Sequence, residues 1–208
     1  MADETPLGSP ETTPGRGHPG GGAGEQSPLQ ARAKFLEDRR WDAVIGFNRG
    51  ACARGGAQHG INPEAGGTVE AEWNRWRDTE STFLEVIGFP RWCHRAAPFL
   101  FFNGNTFADI GRRIAAAVFA DLPAGRQRQV TPAVAHHIAG LLDEWEMTAI
   151  VESLCQSAEL GVGDRVKTLR GALRGVITRV LVDGRVAVRP DSGASELMSL
   201  PERLLPDD

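Results

Sequence analysis

The segment that most constrains the fold of this chain spans residues 163–205, where turn residues separate short apolar runs at close intervals. The clearest turn is at Asp183 and Gly184, because both residues tolerate the positive φ that a two-residue type I′ hairpin requires. Residues 170–171 and 190–193 supply two further turns. The apolar runs between them predict strands at residues 166–169, 176–181, 185–189 and 196–200. About five short strands can bury their apolar faces only by curling into a small barrel.

The order of residues in this segment resembles a known family of modules. Gly163-Asp164 with Val166, then Arg170-Gly171, then residues 175–177 and 183–186 are similar to a Src-homology-3-like barrel of the KOW kind. The resemblance covers about a fifth of the chain. It implies a binding module, and such modules bind partners that range from ribosomal RNA to proteins.

The predicted barrel is basic, whereas the chain as a whole carries a formal net charge of -4. Residues 164–189 hold seven basic side chains and two acidic ones. A phosphate backbone or an acidic protein face could bind there, although outward strand positions that merely happen to be arginine give the same pattern. The candidate partner-binding residues are Arg165, Lys167, Arg170, Arg174 and Arg179.

The same segment has no aromatic residue from Asp164 to Asp208. Grooves that bind proline-rich peptides are lined by aromatic side chains, and single-stranded nucleic acid stacks its bases on aromatic rings. Both modes of recognition are therefore disfavoured for the barrel itself.

The composition, 208 residues of which 41% are hydrophobic, predicts a globular protein. No apolar run is long enough to span a membrane, and the acidic start at residues 1–4 is unlike a secretory signal, so a cytoplasmic location without membrane contact is expected. Three cysteines, an odd number and widely spaced, indicate reduced thiols.

The chain divides into three parts. Residues 1–27 are rich in Gly and Pro and predict a disordered tail. Residues 28–157 predict a helical domain, and residues 158–208 hold the barrel. The predicted fold class is therefore α+β, with an N-terminal helical domain followed by a small five-stranded barrel.

About five helices are predicted from apolar spacing, capping residues and breakers. Ser27 and Gln30 form a candidate capping box for the first helix, and Gly88 with Pro90 is expected to end the second. Acidic residues open the last helix, where the macrodipole favours them. The predicted spans are residues 28–52, 68–87, 106–122, 131–141 and 143–157.

Catalytic motifs are scarce, so no catalytic residue, metal or cofactor is expected. The chain lacks a phosphate-binding loop, a nucleophile elbow and a zinc-protease motif. Cys93-His94, the pair His136 and His137, and Cys155 carry reactive groups without metal-ligand spacing. Whether Cys93, His94, His136 and His137 form a site stays open. It also stays open whether the aromatic run at residues 99–102 belongs to the core or to an interface. An exposed apolar patch there would indicate a protein contact.

The region from Gly46 to Arg77 resembles the ribosome modulation factor family, small proteins that bind and silence the ribosome. Gly46-Phe47, Asn62-Pro63 and the closing Trp73-x-x-Trp76 carry this resemblance. It implies a ribosome-associated, stationary-phase factor. The alternative is that both tryptophans simply form the core stripe of an amphipathic helix.

The order of helices first and barrel last is similar to the β subunit of nitrile hydratase. Residues 61–64, the same two tryptophans and Glu80 echo the helical half of that family. The family's metal lies in a partner α subunit, so the resemblance implies an accessory subunit that serves a metalloenzyme. The leading hypothesis is nevertheless a non-enzymatic binding or adaptor protein whose basic barrel contacts an acidic protein or RNA.

Overall fold

The computed structural model describes residues 30–156, 160–182 and 184–207 of the chain. Six helices come first, and a five-stranded antiparallel sheet follows. The predicted α+β class, with helices before strands, is confirmed. The predicted tail at residues 1–27 and the capping residue Ser27 lie outside the described residues.

The helices extend from residue 41 to residue 156. Their bounds are α1 (Trp41–Gly55), α2 (Gly66–Arg77), α3 (Phe83–Ala96), α4 (Asn103–Val118), α5 (Ala124–Ile138) and α6 (Glu144–Gln156).

The segment before α1 is not helical, so the prediction of a helix from residue 28 is wrong over residues 30–40. Ala33 instead pairs with Ser81 in an isolated β-bridge, with backbone N–H to O distances of 3.0 and 3.1 Å in the two directions. Leu36 is buried beside this bridge. These residues therefore hold the start of α1 against the loop that precedes α3.

The predicted second helix is two helices, α2 and α3. The chain leaves the helical path at Asp78, and Thr82 starts α3 with a capping box in which Glu85 N–H donates to Thr82 Oγ1 and Thr82 N–H donates to Glu85 Oε2 at 2.8 Å. Pro90 does not end α3, because a helix interior can lose one backbone hydrogen bond when packing holds the helix in place, and Pro90 is buried.

Two further helix starts were predicted too late. The helix predicted from residue 106 begins at Asn103, so Thr106 lies one turn inside α4, where its hydroxyl donates to the carbonyl of Phe102 at 2.8 Å. The helix predicted from residue 131 is α5, which begins at Ala124 and contains Pro132 in its interior. The last predicted helix, with its acidic start, is confirmed within one residue at each end of α6.

The helical region encloses an aromatic core. Trp73, Phe83, Phe99 and Phe107 are at most 1% exposed, and Trp41 stacks on Phe99 with ring centroids 5.6 Å apart. The apolar stripe that predicted a helix at residues 68–87 therefore packs in this core, with Trp76 only partly buried, although two helices share it. Burial of each such side chain contributes about 1.5–3 kcal/mol.

The sheet has the strand order β4-β3-β2-β1-β5, with every neighbouring pair antiparallel. Gly175 on β2 lies so close to β3 that a Cβ there would be 2.3 Å from the carbonyl oxygen of Arg189, so this crossing requires glycine. The strands are β1 (Arg165–Thr168), β2 (Arg174–Val180), β3 (Val186–Pro190), β4 (Leu197–Ser199) and β5 (Leu204–Pro206).

The turns of the sheet follow the sequence closely. Gly171 and Gly193 adopt positive φ in the two predicted turns. The β2–β3 loop is one residue longer than predicted, because Leu181 N–H donates to Arg185 O at 2.8 Å and Gly184 N–H donates to Leu181 O at 3.0 Å. This is the pattern of a three-residue loop with glycine in the left-handed position. Asp183 itself lies outside the described residues.

The sheet packs against the helices. Its own small core is Val166, Ile177, Val186, Val188 and Leu204, but Leu169 and Leu205 pack into the helical core. Gln129 on α5 is 5% exposed and donates from Nε2 to the carbonyls of Pro201 and Leu204. Apolar packing and buried hydrogen bonds thus join the two parts.

Candidate partner-binding surface

Three of the five sequence-predicted contact residues converge on one point. Arg165 and Lys167 on β1 and Arg174 on β2 all face Asp207, at 4.0, 3.4 and 3.6 Å respectively. Antiparallel pairing places Lys167 directly opposite Arg174, which explains why the side chains meet. We call these three residues the basic face.

The basic face is accessible, whereas the carboxylate that it surrounds is not. The side chains of Arg165, Lys167 and Arg174 are 50%, 35% and 60% exposed, and that of Asp207 is 6% exposed. Arg165 also pairs with Asp191 at 2.5 Å, and this hydrogen bond raises the pKa of Arg165. The basic face therefore already binds carboxylates, and they belong to its own chain.

The other two predicted contact residues lie elsewhere. Arg170 reaches the start of α6, where its guanidinium contacts Glu146 at 3.3 Å and Asp143 at 3.5 Å. Arg179 pairs with Glu196, and hydrogen bonds from Thr178 and Arg179 lower the pKa of that carboxyl. The predicted patch is thus three separate groups, each next to acidic side chains.

The acidic partners explain why the charge excess at residues 164–189 does not produce one basic patch. From Asp164 to Asp208 the chain holds eight basic and seven acidic side chains, so the excess at residues 164–189 is balanced by later residues. Asp191, Glu196 and Asp207 follow the counted stretch, and Asp143 and Glu146 precede it. The sequence contains these residues, but only the fold shows which cation each one meets.

The cysteines and histidines singled out above do not form one cluster. Cys93 is buried, and burial raises the pKa of its thiol, which disfavours the reactive thiolate. His94 lies against Gly104, and burial, followed by the charge of Arg95, lowers its pKa. The described residues contain no group of three or more His, Cys, Asp or Glu side chains placed to hold a metal ion. The side chain of Cys155 lies outside the described residues.

The two adjacent histidines on α5 face different surroundings. His137 is 4% exposed, and its ring contacts a guanidinium nitrogen of Arg91 at 2.9 Å. Burial and the nearby Arg91 charge lower the pKa of His137. The side chain of His136 is 28% exposed and lies 3.4 Å from Glu202, at a cleft between α5 and the sheet.

The aromatic run at residues 99–102 splits between core and surface. Phe99 is buried, but Leu100 and Phe101 are 55% and 51% exposed. Ile61, 45% exposed, lies nearby because it forms an isolated bridge with Phe99. We call Ile61, Leu100 and Phe101 the apolar patch. Phe102 adopts a φ of +58°, a left-handed conformation that is costly for an aromatic residue.

The residues that carry the two family resemblances in the helical region mostly have structural roles. Trp73 is buried, and its indole N–H donates to the carbonyl of Arg39 at 2.7 Å. Trp76 stacks on Phe89, and Asn62 Nδ2 donates to the carbonyl of Ala97 at 3.0 Å. Phe47 packs under the guanidinium of Arg113. The core-stripe interpretation explains both tryptophans.

Comparison with protein-family models, curated proteins and solved structures found no match to this chain. Within the described residues, none of the helices combines the length and the apolar character needed to cross a bilayer.

Proposed function

We propose that this chain is a non-enzymatic binding protein whose C-terminal sheet is a Src-homology-3-like module of the KOW kind, and that its basic face binds an acidic segment of a partner protein. The observation that carries the proposal is the convergence of Arg165, Lys167 and Arg174 on the single carboxylate of Asp207.

The basic face has more donors than its internal partners can use. Each guanidinium has five N–H groups and the lysine ammonium has three, whereas a carboxylate has two oxygens. Because the three cationic side chains are 35–60% exposed, their remaining donors can reach a second carboxylate. Single exposed ion pairs contribute about 0–1 kcal/mol, so a partner must offer several acidic side chains in a row.

A protein partner fits the surface better than RNA does. The described part of the sheet has no aromatic side chain on which bases could stack. The apolar patch of Ile61, Leu100 and Phe101 offers the kind of surface that proteins bury when they associate. RNA binding would appear in the test below as recovery that is lost after ribonuclease treatment.

The five predicted residues are expected to differ in importance. Arg165, Lys167 and Arg174 form the contact, whereas Arg179 lies apart from them and pairs with Glu196. Arg170 is held by two carboxylates of the helical region, so its replacement should weaken helix–sheet packing more than partner binding.

The test is affinity purification of the tagged full chain from its native cells, with and without ribonuclease. A double variant, Arg165→Glu with Arg174→Glu, should lose the acidic protein partner. A matched control, Arg75→Glu with Arg112→Glu, changes the charge by the same amount on exposed helical positions and should keep it. Unchanged capture by the first variant would refute the assignment of the basic face.

The same purification separates the two alternative functions. Recovery of ribosomal components that disappears after ribonuclease treatment would favour the ribosome-associated factor. Capture of one cysteine-rich protein, independent of ribonuclease and of the basic face, would favour the accessory subunit of a metalloenzyme.

A further inference from the structure

A cleft of about 650 Å³ lies between α5 and the end of the sheet. One wall is a single face of α5, because positions three and four apart stack on a helix. The other wall is formed by Gly184 and residues 200–202. Its volume lies within the range of about 300–1,000 Å³ typical of small-molecule sites. We call it the helix–sheet cleft. The residues of α5 that line it are Ala124, Gln127, Arg128, Thr131, Pro132 and His136.

The cleft contains a buried acid beside a histidine. Glu202 is 1% exposed, and its Oε1 lies 3.4 Å from Nδ1 of His136. Neither of these two buried atoms has a hydrogen-bond partner among the described residues. A buried carboxyl oxygen that lacks a hydrogen bond is costly, so its presence at a cleft requires an explanation.

The pair makes the histidine a hydrogen-bond donor toward the cleft. When one proton is shared between Glu202 and His136, it can rest on Oε1 or on Nδ1. In the first case the neutral ring carries its hydrogen on Nε2, and in the second the imidazolium carries hydrogens on both nitrogens. Nε2 therefore donates in either arrangement. Burial raises the pKa of Glu202, which helps the pair to keep this proton.

The other groups that line the cleft define the kind of ligand that it can bind. Arg128 supplies a permanent positive charge, and the hydroxyl of Thr131 can donate a hydrogen bond. Pro132, Leu200 and Pro201 give an apolar lining. A ligand that suits this set has an apolar stem and an anionic head.

We propose that the helix–sheet cleft binds a small apolar carboxylic acid in its ionised form. Its carboxylate contacts Nε2 of His136 and the guanidinium of Arg128, and its stem packs against Pro132, Leu200 and Pro201. Glu202 does not touch the ligand but fixes the hydrogen on Nε2. This site is separate from the basic face and does not depend on the proposed function.

The test titrates the full chain by calorimetry with hexanoate, hexan-1-ol and hexylammonium, which share one stem and differ in the head. Hexanoate should bind at least about tenfold more tightly than the other two, since hydrogen bonds to charged groups are the stronger ones. Equal binding of hexanoate and hexan-1-ol, preference for hexylammonium, or no binding at millimolar hexanoate would each overturn the proposal.

Two variants and the pH dependence locate the site. His136→Leu and Arg128→Met should each weaken hexanoate binding about tenfold, whereas Arg112→Met, on an exposed position of α4, should not. Retention of full affinity in both cleft variants would place any binding elsewhere.

The pH dependence of hexanoate binding is measured on the unmodified chain, so this test does not depend on whether a variant folds. The charged groups around the pair are Arg128 on α5 and Arg203 beside Glu202. Because burial raises the pKa of Glu202, the pair loses its proton at a higher pH than an exposed glutamate would. Hexanoate affinity should therefore fall as pH rises and this proton is lost, while hexan-1-ol affinity stays constant, and a flat profile for hexanoate would contradict the role of the pair.

Discussion

At the scale of single residues, Glu202 has a carboxyl group in surroundings that favour its neutral form. Burial raises the pKa of this carboxyl, and the nearby charges of His136 and Arg203 only partly oppose the shift. In the unfolded chain the pKa is about 4.3. The folded state therefore holds the proton over the interval between the two pKa values, so stability falls as pH rises across that interval.

Glu202→Gln removes this titration. The contribution of Glu202 to the free energy of unfolding should decline as pH rises above about 4.3, its pKa in the unfolded chain, and the variant should lose that contribution. The stability of the variant relative to the unmodified chain should thus increase with pH. Urea unfolding at several pH values measures the difference. Glu152→Gln, at an exposed position of α6, is the control and should give a constant difference. A constant difference for Glu202→Gln would contradict a raised pKa.

Individual residues also show what sequence could and could not predict at the candidate site. The basic strand positions were evident, and Arg165, Lys167 and Arg174 do meet. Their convergence on Asp207 was not evident, because β5 was not placed next to β1 in the prediction. Glu202 was missed altogether, since a lone acid after a proline gives no sign that folding buries it.

At the scale of elements, apolar spacing predicted burial better than it predicted boundaries. Val69, Trp73, Phe83 and Ile87 are all buried, but they belong to two helices. The break was signalled by Thr82 followed by Glu85, a capping-box sequence inside the predicted helix. The prediction that Pro90 ends the helix is wrong, because a proline held by packing can lie within a helix.

Thr82→Ala tests how much the capping box contributes to α3. The change leaves Glu85 N–H without its side-chain acceptor, so the free energy of unfolding should fall by about 0.5–2 kcal/mol. Thr148→Ala, within α6 and half-buried, should cost much less because its hydroxyl bonds a carbonyl of its own helix. Urea denaturation of the two variants side by side makes the comparison. Equal losses would show that the capping box adds nothing specific.

At the scale of the whole molecule, the helices and the sheet share apolar packing. Leu169 and Leu205 belong to the helical core although they lie in or beside the strands. The sequence predicted the two parts and their order, and their separation at about residue 158 stays a prediction. Their contact could not be predicted, because it depends on single side chains such as Gln129 whose neighbours in the sequence give no hint of a partner about 70 residues away.

This packing predicts one cooperative unfolding transition. All five tryptophans lie in the helical region, so their fluorescence reports on the helices alone. The NMR signals of the methyl groups of Ile177, which is buried, report on the sheet. Both signals should change at the same urea concentration, because Leu169 and Leu205, which lie in or beside the strands, pack into the helical core. Loss of the Ile177 signal at lower urea would show that the sheet unfolds independently.

Gln129→Leu should lower this common midpoint. The variant leaves the carbonyls of Pro201 and Leu204 without their donor in a buried setting, which costs about 1–3 kcal/mol. Gln127→Leu is the matched control, because Gln127 bonds two carbonyls of its own helical region, at Ala120 and Leu122, and does not reach the sheet. The Gln129 variant should therefore lose more stability than the Gln127 variant. If the two lost the same amount, the hydrogen bonds from α5 to the sheet would add nothing beyond local loop support, and apolar packing alone would couple the two parts.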